Sequence, residues 1–151
     1  MNKYLKDLCL IDFKRYVVPY EQSKYLVVSS CFFLIPTFYG YTHKEYVYSS
    51  ISLITSLCSI NFWRDANYSY RRVIDHITAK VSFVIYLKKG FQIIIYKPYL
   101  FISYGNLIGL LYCYYMSNKC SETDIWWKYH MMFHLLVACN KIILIRSVLM
   151  N

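Results

Sequence analysis

YVYSSISLITSLCSINFW, residues 46–63, contains no Asp, Glu, Lys or Arg, and neither do residues 25–42 or 98–118. A bilayer core about 30 Å thick is crossed by roughly 20 mostly apolar residues at ~1.5 Å rise each. Three such stretches in a chain of 151 residues leave little sequence for a water-facing surface, which excludes an ordinary soluble domain. Composition agrees: 58% of the residues are hydrophobic, against roughly 45–50% in soluble globular proteins. Only 17% are charged, and those charges are clustered between the apolar stretches.

Working outward, residues 1–23 read as a basic lead-in to a transmembrane helical domain at 24–151. The first span is expected at 24–42, kinked at Pro36 as membrane helices tolerate, and the second at 45–63. A third, at 72–88, is atypical because Asp75, His76 and Lys80 lie in its first half; Lys88, Lys89 and Gly90 are expected to end it. Residues 91–96 are too few to span and read as an interfacial or re-entrant piece. A fourth span at 98–117 carries Gly105 and Gly109 in a GxxxG contact pattern, and the last is expected at 125–146. The fold predicted is thus all-α, a polytopic transmembrane bundle of about five spans plus one short piece. Within the second span, Ser49, Ser52, Ser56 and Ser59 follow one helical face. Small polar faces of this kind let membrane helices approach closely.

The net charge of +9 does not point to nucleic acid. A nucleic-acid binder gathers its cations on one face of a folded domain. Here Lys3, Lys6, Lys14, Arg15 and Lys24 precede the first span, and Arg64, Arg71 and Arg72 follow the second. That is how topology signals are placed, and it puts the N-terminus in the cytoplasm, with residues 42–45 opposite. Lys88, Lys89 and Lys97 break the alternation and leave the C-terminal side and the organelle open. No cleavable signal peptide is expected, because the residues before the first span are polar and interrupted by Pro19. The expected partner is membrane lipid. The six cysteines form no CxxC pair and no metal-finger spacing.

Ionisable side chains within a membrane are costly and therefore draw attention. His130 and His134, at i and i+4 in the last span, project from one helix face and suit a shared zinc ion. They suit equally an interfacial or hydrogen-bonded pair. Asp75 is placed one turn after Arg71 and Arg72, so an ion pair within the helix competes with a catalytic role. His76 points about 100° away from Asp75 on an ideal helix. Ser59 falls near the end of the second span that leads toward Asp75.

The order Ser59, Asp75, then HxxxH in a last span that opens on Trp126 and Trp127 resembles the CREST superfamily. This group includes the alkaline ceramidases, the adiponectin-receptor family and GPI-anchor remodelling proteins. The resemblance covers segments 46–88 and 125–146 and implies a membrane helical bundle with a zinc site that hydrolyses lipid amides or esters. Carried over, His130 and His134 would be metal ligands with His76 supplying a further one, Asp75 the general base, and Ser59 a hydrogen-bond donor to the developing oxyanion. The family's SxxxH is absent, since Trp63 follows Ser59 and Ile60 follows Ser56 at that spacing. About five spans replace the family's seven. Two readings follow: a small multi-pass membrane protein, a degenerate CREST relative whose polar residues only join helices, and a zinc-dependent membrane hydrolase.

Overall fold

The computed structural model describes residues 11–94, 101–120 and 123–149. Helix α1 (Tyr20–Ser30) passes through a 3₁₀ turn (Cys31–Phe33) into α2 (Leu34–Thr42). Pro19 precedes the first helical residue with an extended backbone, and its carbonyl accepts from the amides of Gln22 and Ser23. The helix therefore starts at Tyr20, earlier than the charge pattern suggests. Pro36 has no N–H to offer the Phe32 carbonyl, and the ladder tightens to 3₁₀ there. The expected kink takes that form.

Helix α3 (Tyr46–Trp63) returns antiparallel to α2, and α4 (Tyr70–Ile94), α5 (Phe101–Lys119) and α6 (Trp126–Leu149) follow. Paired contacts fix their directions. Ser49 meets Thr37 and Ser56 meets Ser30, so α3 opposes α1–α2. Ser59 meets Asp75 and Ser52 meets Tyr86, so α4 opposes α3. Ser117 meets His130, setting α5 against α6, while Gln22–Trp126 and Ser29–His134 run α6 parallel to α1. Helix α6 touches α1, α2, α4 and α5 and is the central post of the bundle.

The described residues are helical apart from turns and one small ribbon, β1 (Asp12–Tyr16) paired antiparallel with β2 (Asn67–Tyr68). The sequence reading contains no strand. The Val17 amide extends the clasp by donating to the Ala66 carbonyl at 2.7 Å. Two further expectations are corrected. Helix α4 runs through Gly90 to Ile94, so residues 91–94 are the end of a long helix and not a separate short piece. A Cβ at Gly90 would sit in ordinary contact with Leu144, so the position does not require glycine. Among the described residues Gly105 and Gly109 do not form one contact face: Gly109 sits against Leu136, while nothing described lies within 4 Å of a Cβ at Gly105. Lys3, Lys6, Cys9, Lys97 and residues 98–100 lie outside the described residues.

Two helical stretches are long and apolar enough to cross a membrane, Tyr20–Thr42 and Trp126–Leu149. Helix α3 dilutes its apolar content with serine, and α4 carries Asp75, Lys80, Lys88 and Lys89.

Over residues 46–59 of α3 and along α4 the distribution of side chains is the reverse of a water-soluble core, while Leu26, Phe62, Trp63, Ala66 and Trp126 form a buried apolar cluster. On α3 the buried face holds Ser49, Ser52, Thr55, Ser56 and Ser59, while Val47, Leu53, Ile54 and Leu57 face outward. On α4, Asp75, Ser82 and Tyr86 point in, and Ile77, Val81 and Val84 point out. Single exposed hydrophobics are ordinary on any protein. Apolar faces opposite polar ones on successive helices are not.

Candidate polar site in the bundle interior

Four serines of α3 stand at intervals of three, four and three residues, which splits them into two rows seven apart. Ser49 donates to the Thr37 carbonyl at 2.6 Å and Ser56 to the Ser30 carbonyl at 2.9 Å, both toward α1–α2. Ser52 bonds the Tyr86 hydroxyl at 2.8 Å and Ser59 donates to Asp75 Oδ1 at 2.5 Å, both toward α4. A seven-residue interval returns a side chain to almost the same face, so one helix offers one serine row to each neighbour. The close-packing reading of these serines holds.

Asp75 faces inward and takes its hydrogen bond from Ser59. The expected pairing within α4 does not form: Arg71 pairs instead with Asp65 at 3.2 Å, and Arg72 lies over the Tyr68 ring, 4.6 Å from its centroid. The turn preceding α4 supplies that acid, which leaves Asp75 free to cross to α3.

The two histidines of α6 lie together, ring centroids 4.8 Å apart. Each has its Nδ1 held by a serine of a different helix, His130 by Ser117 at 3.1 Å and His134 by Ser29 at 2.9 Å. Ser29 also lies within hydrogen-bonding distance of the Leu26 carbonyl, so its hydroxyl is shared between α1's own backbone and the His134 ring. His130 is walled by Trp63 and Trp126, at 5.2 Å and 5.8 Å between ring centroids. His76 is an electrostatic neighbour of His130.

The sequence-predicted residues thus form two groups on adjoining helices: Ser59 with Asp75, and His130 with His134, with His76 beside the second. An imidazole whose Nδ1 is fixed by a hydrogen bond is held in one ring orientation, as metal-binding histidines are. Catalytic zinc sites use three protein ligands, however. Among the described residues no three of His, Cys, Asp and Glu converge tightly enough to hold one ion. Among the described residues the donor set is one ligand short of a complete zinc centre.

Several participants escape a reading of the sequence. Ser29 and Ser117 orient the histidines, and nothing local marks them. The Trp63 indole N–H is buried without a partner among the described residues. Lys141, 4% exposed in the middle of α6, does have a sequence signal, an ionisable residue inside an apolar span. A cavity of about 560 Å³ lies apart from all of these, where β1 and the start of α1 meet Arg64 and Asp65. Comparison with known protein families, with curated proteins and with solved structures finds no match to the chain.

Proposed function

We propose that the chain is a small multi-pass integral membrane protein with five helical passes, whose buried polar residues join the helices to one another. The observation that carries this reading is the reversed distribution of side chains. Without a hydrophobic drive between helices in lipid, small residues and cross-helix hydrogen bonds take over, and α3 is built in that way. Tyr20–Thr42 and Trp126–Leu149 add length and apolarity. Tyr25 stacked on Trp127 at 4.7 Å, with Trp63 and Trp126 nearby, would form an aromatic layer at one interface. Lys14, Arg64 and Arg72 at that end favour a cytoplasmic N-terminus. The test is carbonate extraction at high pH, combined with labelling of single cysteines placed in the 42–45 and 64–69 loops. Retention in the membrane with the two loops labelled from opposite sides is expected. Release by carbonate, or labelling of both loops from one side, overturns the reading.

A second reading, a zinc-dependent hydrolase of lipid amides or esters as the CREST resemblance implies, is favoured by the Ser59–Asp75 contact and by the pairing of His130 with His134. It needs a further ligand beyond His130 and His134. Metal analysis of the protein purified in mild detergent tests it: stoichiometric zinc lost in His130→Ala supports it, and equal zinc in wild type and in the double histidine variant removes it.

A further inference from the structure

Lys141 is the buried group that the bundle leaves unmatched. Its ammonium carries three donors, and none has a hydrogen-bond partner among the described residues. Two directions are closed by aromatic faces, Phe33 at 5.0 Å and Tyr86 at 4.9 Å from Nζ to the ring centroids. Such faces attract a cation but do not neutralise it. Tyr86 cannot turn to meet the amine, because its hydroxyl is held by Ser52 and donates to the Tyr48 carbonyl. A second unmatched group lies on the same side. Ser82, one turn before Tyr86 on the inward face of α4, is 3% exposed, and its Oγ has no partner among the described residues. Helices α4 and α6 run in the same direction, with His76 level with His130 and Tyr86 level with Lys141. Side chains on a helix lean toward its N-terminus, and this carries Lys141 Nζ back toward the level of Ser82.

Orphaned buried donors call for a bound species. A water molecule could accept from Lys141 but would leave the charge uncompensated. Asp75 is the only buried carboxylate among the described residues, and it sits about two helical turns from the level of Ser82, ~10 Å along α4. We propose that Lys141 and Ser82 form an interior site for a small monovalent anion of halide size, on the side of the ammonium that the ring faces of Phe33 and Tyr86 leave open. Two donors suit a compact anion, and among the described residues no carboxylate lies at that level to compete for the ammonium. The inference rests on burial alone and does not depend on what surrounds the bundle.

The experiment is thermal unfolding of the full chain in mild detergent, titrated with sodium chloride against sodium gluconate at constant ionic strength. The wild type is expected to melt at higher temperature as chloride rises, with saturation. Lys141→Met is expected to lose the response, and Ser82→Ala to need several-fold more chloride for half the effect. Identical wild-type curves in the two salts, or a chloride response that persists in Lys141→Met, overturn the proposal. If Lys141→Met does not fold, Ser82→Ala decides: a response as sensitive as that of the wild type overturns the site.

Discussion

The two flanks of α3 and the space between α4 and α6 are both polar and both buried, yet they are built differently. Along α3, each of the four buried serines reaches a fixed acceptor or hydroxyl on the next helix. Between α4 and α6, Ser82 and Lys141 find no hydrogen-bond partner among the described residues. A matched buried hydroxyl contributes on the order of 1 kcal/mol and fixes how two helices meet. An unmatched one costs free energy. The contrast separates the part of the interior that joins helices from the part that asks for something else.

The sharpest way to break this contrast is at Lys141. Replacing buried ionic groups by apolar ones of similar size is often neutral or stabilising, by about 1–4 kcal/mol. Lys141→Met should therefore unfold at higher temperature than wild type in halide-free buffer, and a lower midpoint would mean that Lys141 is matched after all. On the seam the sign is opposite. Ser52 is fully buried between α3 and α4, and Ser52→Leu should destabilise by about 1–3 kcal/mol through overpacking; denaturant titration in detergent reads this. Ser59→Ala removes the partner of Asp75 and should cost about 1–3 kcal/mol by the same measurement, whereas Ser59→Thr, which keeps the hydroxyl, should recover part of it. The smallest effect belongs to Gly105→Ala. Its Cβ would meet nothing within 4 Å among the described residues, so the substitution should leave stability unchanged or raise it by about 0.5–1 kcal/mol. A clear loss there would show that a further segment packs against α5 at Gly105.

Much of the seam is legible in the sequence because it is periodic. The intervals among Ser49, Ser52, Ser56 and Ser59 already assign them to one side of a helix, and the uncharged runs place the helices within a few residues of where they lie. What periodicity does not contain is partnership. That Ser59 binds Asp75 can be anticipated from their neighbouring positions in a hairpin of helices, but the pairing of Arg71 with Asp65, which keeps it from Asp75, depends on the turn between α3 and α4. Ser29 and Ser117 become histidine partners only through helix packing, across 105 and 13 residues of chain respectively. The ribbon joins residues 12–16 to residues 67–68, and no local propensity encodes that register. Lys88, Lys89 and Gly90 suggest a helix end, but the helix continues to Ile94.

The separation between Ser29 and His134 also constrains how the molecule is assembled. Chains emerge from the N-terminus, and contacts distant in sequence close late because the ends of a long loop must first be brought together. When α1 is made, the carbonyl of Ser30 must wait for Ser56, and the hydroxyl of Ser29 for the last helix. Tyr25 and Gln22 wait equally for Trp127 and Trp126. The first helix is therefore the last to have its interior completed, and α6 acts as the closing member of the bundle. An assembly intermediate that lacks α6 exposes the side of α1 that carries Gln22, Tyr25 and Ser29.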